Sequence, residues 1–235
     1  MPFFYYYDPT YILIIIGAIL TGIASLYVQS TFSRYSHAQT ARRMTGAQAA
    51  KFILQSQGIY DVKIEPVRGN LTDYYNPVNR TLRLSDSVYG STSIAAVSVA
   101  AHECGHAIQH ARGYQPLKLR SAIVPVVNIG SRLSWPLILI GLLLTGSTSD
   151  FFLLAGLLLF GLVVLFQLVT LPVEFNASSR AIAVLGGQGM LGTSEIPAAR
   201  KVLRAAALTY VAALAASVLQ MLRLLIIIGG KRRDD

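Results

Sequence analysis

Three of the chain's four histidines and one of its four glutamates fall between positions 102 and 110, in the stretch "AHECGHAIQH". His102, Glu103 and His106 spell the pattern H-E-x-x-H. On an α-helix the two histidines, at i and i+4, project from one face about 6 Å apart along the axis. Two neutral imidazoles at that spacing can hold one tetrahedral Zn²⁺ and leave a position open for water. Glu103 lies beside such an ion rather than on it, where it can take a proton from the water and pass it to a leaving amine. A buried glutamate between two histidines has no cheap structural purpose.

A third ligand has to come from elsewhere. His110 continues the i+4 series but lies about 12 Å along the helix from His102, too far to share the ion, so it reads as a supporting or surface residue. His37 has no supporting context. Glu65 precedes a proline in a strand-like segment, and Glu195, after Thr193 and Ser194 and before Pro197, reads as helix-start chemistry. Glu174, in "LPVEFNASSRAIAVL", is expected to open a helix directly after an apolar hairpin. A chain that enters a membrane soon after the His helix and crosses it twice returns to the same side, which brings Glu174 back near the histidines. A His₂Glu zinc site of His102, His106 and Glu174 is therefore expected. Ser178 shares a helical face with Glu174, whereas Asn176 points elsewhere on an ideal helix, and either could orient a ligand. Cys104 reads as core packing, and Gly105 leaves room for another backbone. Arg180 and Tyr210 are candidates to stabilise an oxyanion.

The elements that must position these residues are unusual for a soluble protein. Of 235 residues, 53% are hydrophobic and only 13% charged, and the mean hydropathy is +0.52, against about 25% charged residues in ordinary soluble domains. Four apolar stretches approach the length of about 20 residues that a helix needs to cross a bilayer: residues 11–28, the two arms of a hairpin over 134–170, and 205–222. "PFFYYYDP" before the first fits an interfacial aromatic belt, and no cleavage signature marks it as a signal peptide. "GSTSD" is the expected hairpin turn, with Trp135 at the interface where the first arm enters. The lead-in "KLRSAIVPVVNIGSR" is expected to lie at the interface or on the site, because Arg132 would be costly at the bilayer centre.

Residues 31–120 are mixed and turn-rich. "TGAQAAKFILQSQG" predicts a helix with Thr45 as N-cap and Gly58 as stop. "DVKIEPV", "LTDYY" and "TLRLS" predict short strands, and Ser91 and Thr92 are candidate caps for the His helix, which ends by Gly113. "TLRLS" could be an edge strand that receives an extended peptide.

The net charge of +9 lacks the dense basic, aromatic-laced patches of a nucleic-acid binder. Most Lys and Arg lie in 31–120 and 171–204, so the positive-inside tendency places those segments in the cytoplasm. The closing "KRR" objects, since a fourth full span would carry it to the other side. Cys104 is the sole cysteine, which excludes an intrachain disulfide.

The stretches "YDVKIEPVRGNLTDYYNPVNRTLRLSDSVYGSTSIAAVSVAAHECGHAIQH", "LRSAIVPVVNIGSRLSWPLILIGLLL" and "LPVEFNASSRAIAVL" resemble the YugP-like neutral zinc metallopeptidases of bacterial membranes. That resemblance implies a multi-pass membrane protein with a gluzincin-like site. His102 and His106 match the metal-binding histidines, Glu103 the catalytic glutamate and Glu174 the third ligand.

The expectation is thus a predominantly α, multi-span membrane protein with a small α+β zincin-like (gluzincin) catalytic domain. The boundaries are an anchor (1–30), a zincin-like region with the HExxH helix (31–117), the lead-in and hairpin (118–171), the third-ligand helix and loop (172–204), and a C-terminal span with its basic tail (205–235). The expected partners are zinc, a peptide or protein substrate that includes membrane proteins, the lipid bilayer and a regulatory membrane partner, with no nucleic acid. The expected location is the bacterial plasma membrane, with the site on the cytoplasmic face and endopeptidase action.

Two rival readings exist. A site-2-type intramembrane protease would place the motif inside a spanning helix, but the apolar run "IAAVSVAA" is short and the chain contains no Asp-Gly pair. A non-catalytic scaffold with structural zinc would use four protein ligands and have no need of Glu103.

Overall fold

In a computed structural model of the chain, residues 8–234 are described, with side chains through Gly230. Most of the aromatic run expected at an interface (residues 2–7) and the side chains of the closing basic tail lie outside the described residues. The element order is α1 (Tyr11–Ser36), α2 (Gly46–Ser56), β1 (Lys63–Val67), β2 (Tyr74–Asn76), β3 (Thr81–Ser85), α3 (Asp86–Tyr89), α4 (Ile94–Ala111), α5 (Gln115–Leu143), α6 (Gly146–Gly187) and α7 (Ile196–Asp234). The chain is mostly helical and divides into two compact units. One comprises Met1–Ile23, Ala122–Leu168 and Tyr210–Asp235; the other comprises Ala24–Ser121 and Val169–Thr209.

The second unit holds the sheet and the His helix. Thr45 caps α2 with a full capping box: its side chain accepts from the Gln48 amide while Gln48 reaches back to the Thr45 amide. Ala49, Ala50, Ile53 and Leu54 form the buried stripe of α2, and Gly58, at φ +71°, takes the chain out of the helix. The strand order is β1-β3-β2, with β1 parallel and β2 antiparallel to β3. "TLRLS" is therefore the central strand and not an edge. Its alternate residues Leu82 and Leu84 are fully buried, and its main-chain groups are engaged on both sides.

Helix α4 is capped by Ser93, whose side chain accepts from the Ala96 amide, rather than by Ser91 or Thr92. Ser91 instead hydrogen-bonds Ser93 Oγ and supports the cap. The Ala-rich sequence of α4 lets it be buried along nearly its whole length, and Gly113, at φ +66°, follows its end.

The first unit is an apolar helix assembly. Gly17 of α1 faces Ala216 of α7, where an added Cβ would stand 3.2 Å away. The expected hairpin is present, but its turn is Leu144 and Thr145, and "GSTSD" forms the first turn of α6. Ser149 Oγ donates to the Gly141 carbonyl at 2.6 Å and ties the two arms together. The lead-in is continuous with the first arm as α5, which accommodates Pro125 and Pro136, and its Arg120 reaches Glu174, as expected of a segment packed on the site. Likewise Glu174 does not open a new helix: α6 runs unbroken through Pro172 to Gly187.

Arg223 donates to Asp8 at 3.0 Å and to Thr10 at 3.2 Å, and lies over the Tyr11 ring. This pairing makes a charge tolerable late in an apolar helix.

Helices α1, α5, α6 and α7 are long and apolar enough to cross a membrane. Large apolar side chains such as Ile12, Ile15, Ile19 and Ile23 stay exposed along α1, a surface suited to lipid rather than water. Among the described residues α4 is not such a helix.

Candidate metal centre

Gly105 of α4 lies against Ala177 of α6 so closely that a Cβ at Gly105 would stand 2.5 Å from the Ala177 carbonyl oxygen. His102 and His106 flank Gly105, and Glu174 and Ser178 flank Ala177. One close helix crossing therefore brings all four side chains together. The expectation that Gly105 admits another backbone is met at this crossing.

Glu174 Oε2 lies 3.2 Å from His102 Nε2 and 3.6 Å from His106 Nε2. The imidazoles meet edge to face, with ring centroids 4.8 Å apart. Each of the three residues offers one ligand atom, and these atoms all lie within 4.8 Å of one another. In a tetrahedron with bonds of about 2.1 Å to zinc, ligand atoms stand about 3.4 Å apart. The two carboxylate–imidazole separations bracket that value. Two nitrogens and a carboxylate oxygen are a donor set that zinc favours, so these residues fit the ion.

Glu174 is 2% exposed. Burying a carboxylate so deeply is expensive unless it is compensated. Besides the histidines, Arg120 of α5 donates to its second oxygen at 3.2 Å.

Each histidine is held from behind. His102 Nδ1 lies 3.1 Å from Ser178 Oγ, as the shared face with Glu174 suggests. His106 Nδ1 lies 3.1 Å from Gln109 Oε1. Gln109 is fully buried and donates through Nε2 to the Val173 carbonyl at 2.8 Å and to Asn176 Oδ1 at 3.0 Å. Arg180 Nε also donates to Asn176 Oδ1, at 2.7 Å, and its guanidinium lies over Tyr114. Asn176 thus reaches the site through Gln109, although an ideal helix points it elsewhere. Tyr210 belongs to the other unit.

Burial opposes the charged form of His106, but the hydrogen bond to Glu174 and the charges of Glu103 and Glu174 more than offset it, so its pKa is raised. Glu103 is 8% exposed and, among the described residues, forms no hydrogen bond or ion pair. Asp73 accepts from the Ser85 amide at 2.7 Å and from the Ser85 hydroxyl at 2.9 Å. Its pKa is raised, chiefly by burial, and the Glu103 charge adds to the effect.

The other candidates stand apart from the cluster. His110 Nδ1 is 2.8 Å from the Tyr75 hydroxyl, Glu65 pairs with Arg83, and Glu195 accepts from the Gly192 and Ala41 amides. His37 is exposed. Cys104 is fully buried against the α2 backbone. Gln109 and Arg120 were not singled out in the sequence. The i, i+3 spacing of Gln109 from His106 was an available signal, but no local pattern points to Arg120.

The fold and cluster described above have a family. Residues 10–229 match the family described as "Putative neutral zinc metallopeptidase", and the chain belongs to it. Within reach of that description stands the "Putative membrane protease YugP" of Bacillus subtilis (strain 168), to which this chain is 47% identical over 212 residues, covering 90% of this chain and 93% of that protein. No solved structure matches the chain.

Proposed function

We propose that the chain is a membrane-integrated metalloendopeptidase in which His102, His106 and Glu174 hold one zinc ion and Glu103 is the general base and acid. The observation that carries this reading is the convergence of those three ligand atoms beside a mostly buried carboxylate, Glu103, that has no hydrogen-bond partner among the described residues. Zinc, when bound, supplies Lewis-acid polarisation of the scissile carbonyl and acidifies the attacking water. Glu103 takes the proton of that water and returns it to the leaving amine. Ser178 and Gln109 hold the imidazoles with Nε2 turned inward, and Arg120 holds the outer oxygen of Glu174. Arg180 Nε donates to Asn176, which accepts from Gln109 as well, and this shared acceptor supports a positioning role for Arg180.

The substrates in this reading are peptides or proteins, membrane proteins included, and the reading puts the site at the cytoplasmic face, which the excess of Lys and Arg in the segments around it supports. A regulatory membrane partner remains part of the reading. The test is zinc content and proteolysis of detergent-purified protein, native and Glu103→Gln. About one zinc per chain in both, with cleavage lowered by 10²-fold or more in the variant, supports it. Cleavage that survives in a zinc-loaded Glu103→Gln protein removes Glu103 from the chemistry, and absence of zinc after metal is supplied returns the scaffold reading.

A further inference from the structure

Between α6 and α7, within the unit that carries the metal cluster, lies a cavity of about 430 Å³. Phe175 and Leu203 give it apolar walls, and Leu208 continues them outward. Phe175 and Leu208 are each nearly half exposed, so the apolar wall extends onto the outer surface of the helices. Arg200 and Arg204 stand over the same cavity, one helical turn apart on a single face. Both are exposed, and among the described residues neither makes a hydrogen bond or an ion pair. Ser178, the partner of His102, lines the cavity as well.

The place in sequence matters as much as the lining. Phe175 follows the apolar run of α6, and Arg204 directly precedes the apolar run of α7 that begins at residue 205. Two unneutralised guanidiniums thus stand where both helices change from mixed to apolar sequence, above an apolar slot open to the outside. We propose that this cavity binds an anionic phospholipid, with the phosphodiester on Arg200 and Arg204 and the first part of an acyl chain against Phe175 and Leu208. Basic pockets between membrane helices bind such headgroups, and paired guanidiniums match phosphate geometry. An acidic peptide would satisfy the arginines but would leave the outward apolar wall without a role. The inference is independent of the metal reading.

The test is native mass spectrometry of the full chain in neutral detergent with equal amounts of phosphatidylglycerol and phosphatidylcholine. The native protein and the Arg200→Gln/Arg204→Gln variant are compared, and thermal melting serves as the folding control. Each cation near a lipid surface favours an anionic lipid about fivefold, so a preference on the order of 30-fold is expected in the native chain and near parity in the variant. The Arg200→Lys/Arg204→Lys variant keeps part of the preference. Equal retention of both lipids by the native chain overturns the proposal, as does a preference that survives in the glutamine variant. An acidic peptide that displaces phosphatidylglycerol only from the native chain, and binds it more tightly than the lipid does, also overturns it by assigning the arginines to substrate.

Discussion

Gln109 Oε1 lies 3.1 Å from His106 Nδ1, three residues further along the same helix. The amide orientation follows from its surroundings. Its other end faces two oxygens, the Val173 carbonyl and Asn176 Oδ1, so that end is the NH₂ and the oxygen faces the imidazole. His106 then carries its proton on Nδ1, which leaves Nε2 bare for a metal. Replacing Gln109 by Leu is expected to weaken zinc binding by about 10- to 100-fold, read by competition with a chromogenic chelator. Gln109→Glu keeps an acceptor toward His106 but loses both donations, to Val173 and Asn176, so it should not restore full affinity. Unchanged zinc affinity in the leucine variant would show that His106 needs no such partner.

Arg120 poses a related question at the carboxylate. Its donation to Glu174 Oε1 leaves Oε2 to face both histidines. Removing one partner of a buried charge costs more than the pair itself contributes, although Arg120 is about a third exposed and the loss is correspondingly moderated. Arg120→Ala is expected to weaken zinc by about tenfold, with Arg120→Lys intermediate. If alanine and native chains hold zinc equally, the arginine is a bystander.

The crossing of α4 and α6 depends on one missing methyl. A Cβ at Gly105 would meet the Ala177 backbone, which cannot rotate aside as a side chain can. Gly105→Ala is expected to destabilise the protein by about 1–3 kcal/mol and to weaken zinc binding as the crossing widens, seen as a lower melting temperature with and without metal. An alanine variant as stable as the native protein would contradict the crossing distance.

Cys104 gives a test that does not involve the site's chemistry. Burial pushes its thiol well above its ordinary value of 9.0, and the charge of Glu103 adds to this. The folded thiol keeps its proton where the unfolded one ionises. The folded state therefore binds more protons above about pH 9, and this contribution to stability is lost as pH rises beyond that point. Native protein at pH 8 should resist iodoacetamide and react fully once unfolded. Labelling of the native chain at the rate of a free thiol would place Cys104 at the surface.

Periodicity and local chemistry carried much of this protein in the sequence. The Thr45 cap, the Gly58 stop, the three strands and the apolar runs could all be read because each depends on neighbours within a few residues. The His102/His106 pair was legible for the same reason, since one helical turn fixes its spacing. Even Glu174 followed from a topological constraint, a hairpin that must return to the side it left.

Tertiary structure decided what depends on partners far along the chain. β3 is central because β1 and β2 both pair with it, and a strand's place in a sheet is not written in its own five residues. Ser93 takes the cap of α4 because that segment docks on the chain near Ala38 and Thr40, which no capping preference reveals. Glu174 continues α6 instead of opening a helix, because the apolar run and the segment after it share one unbroken helical backbone. Gln109 and Arg120 reach the cluster only because α4, α5 and α6 converge, Arg120 meeting a glutamate 54 positions away. Sequence alone named the atoms that could bind zinc; the fold supplied the groups that aim them, because aiming a side chain requires contact and contact is a property of packing.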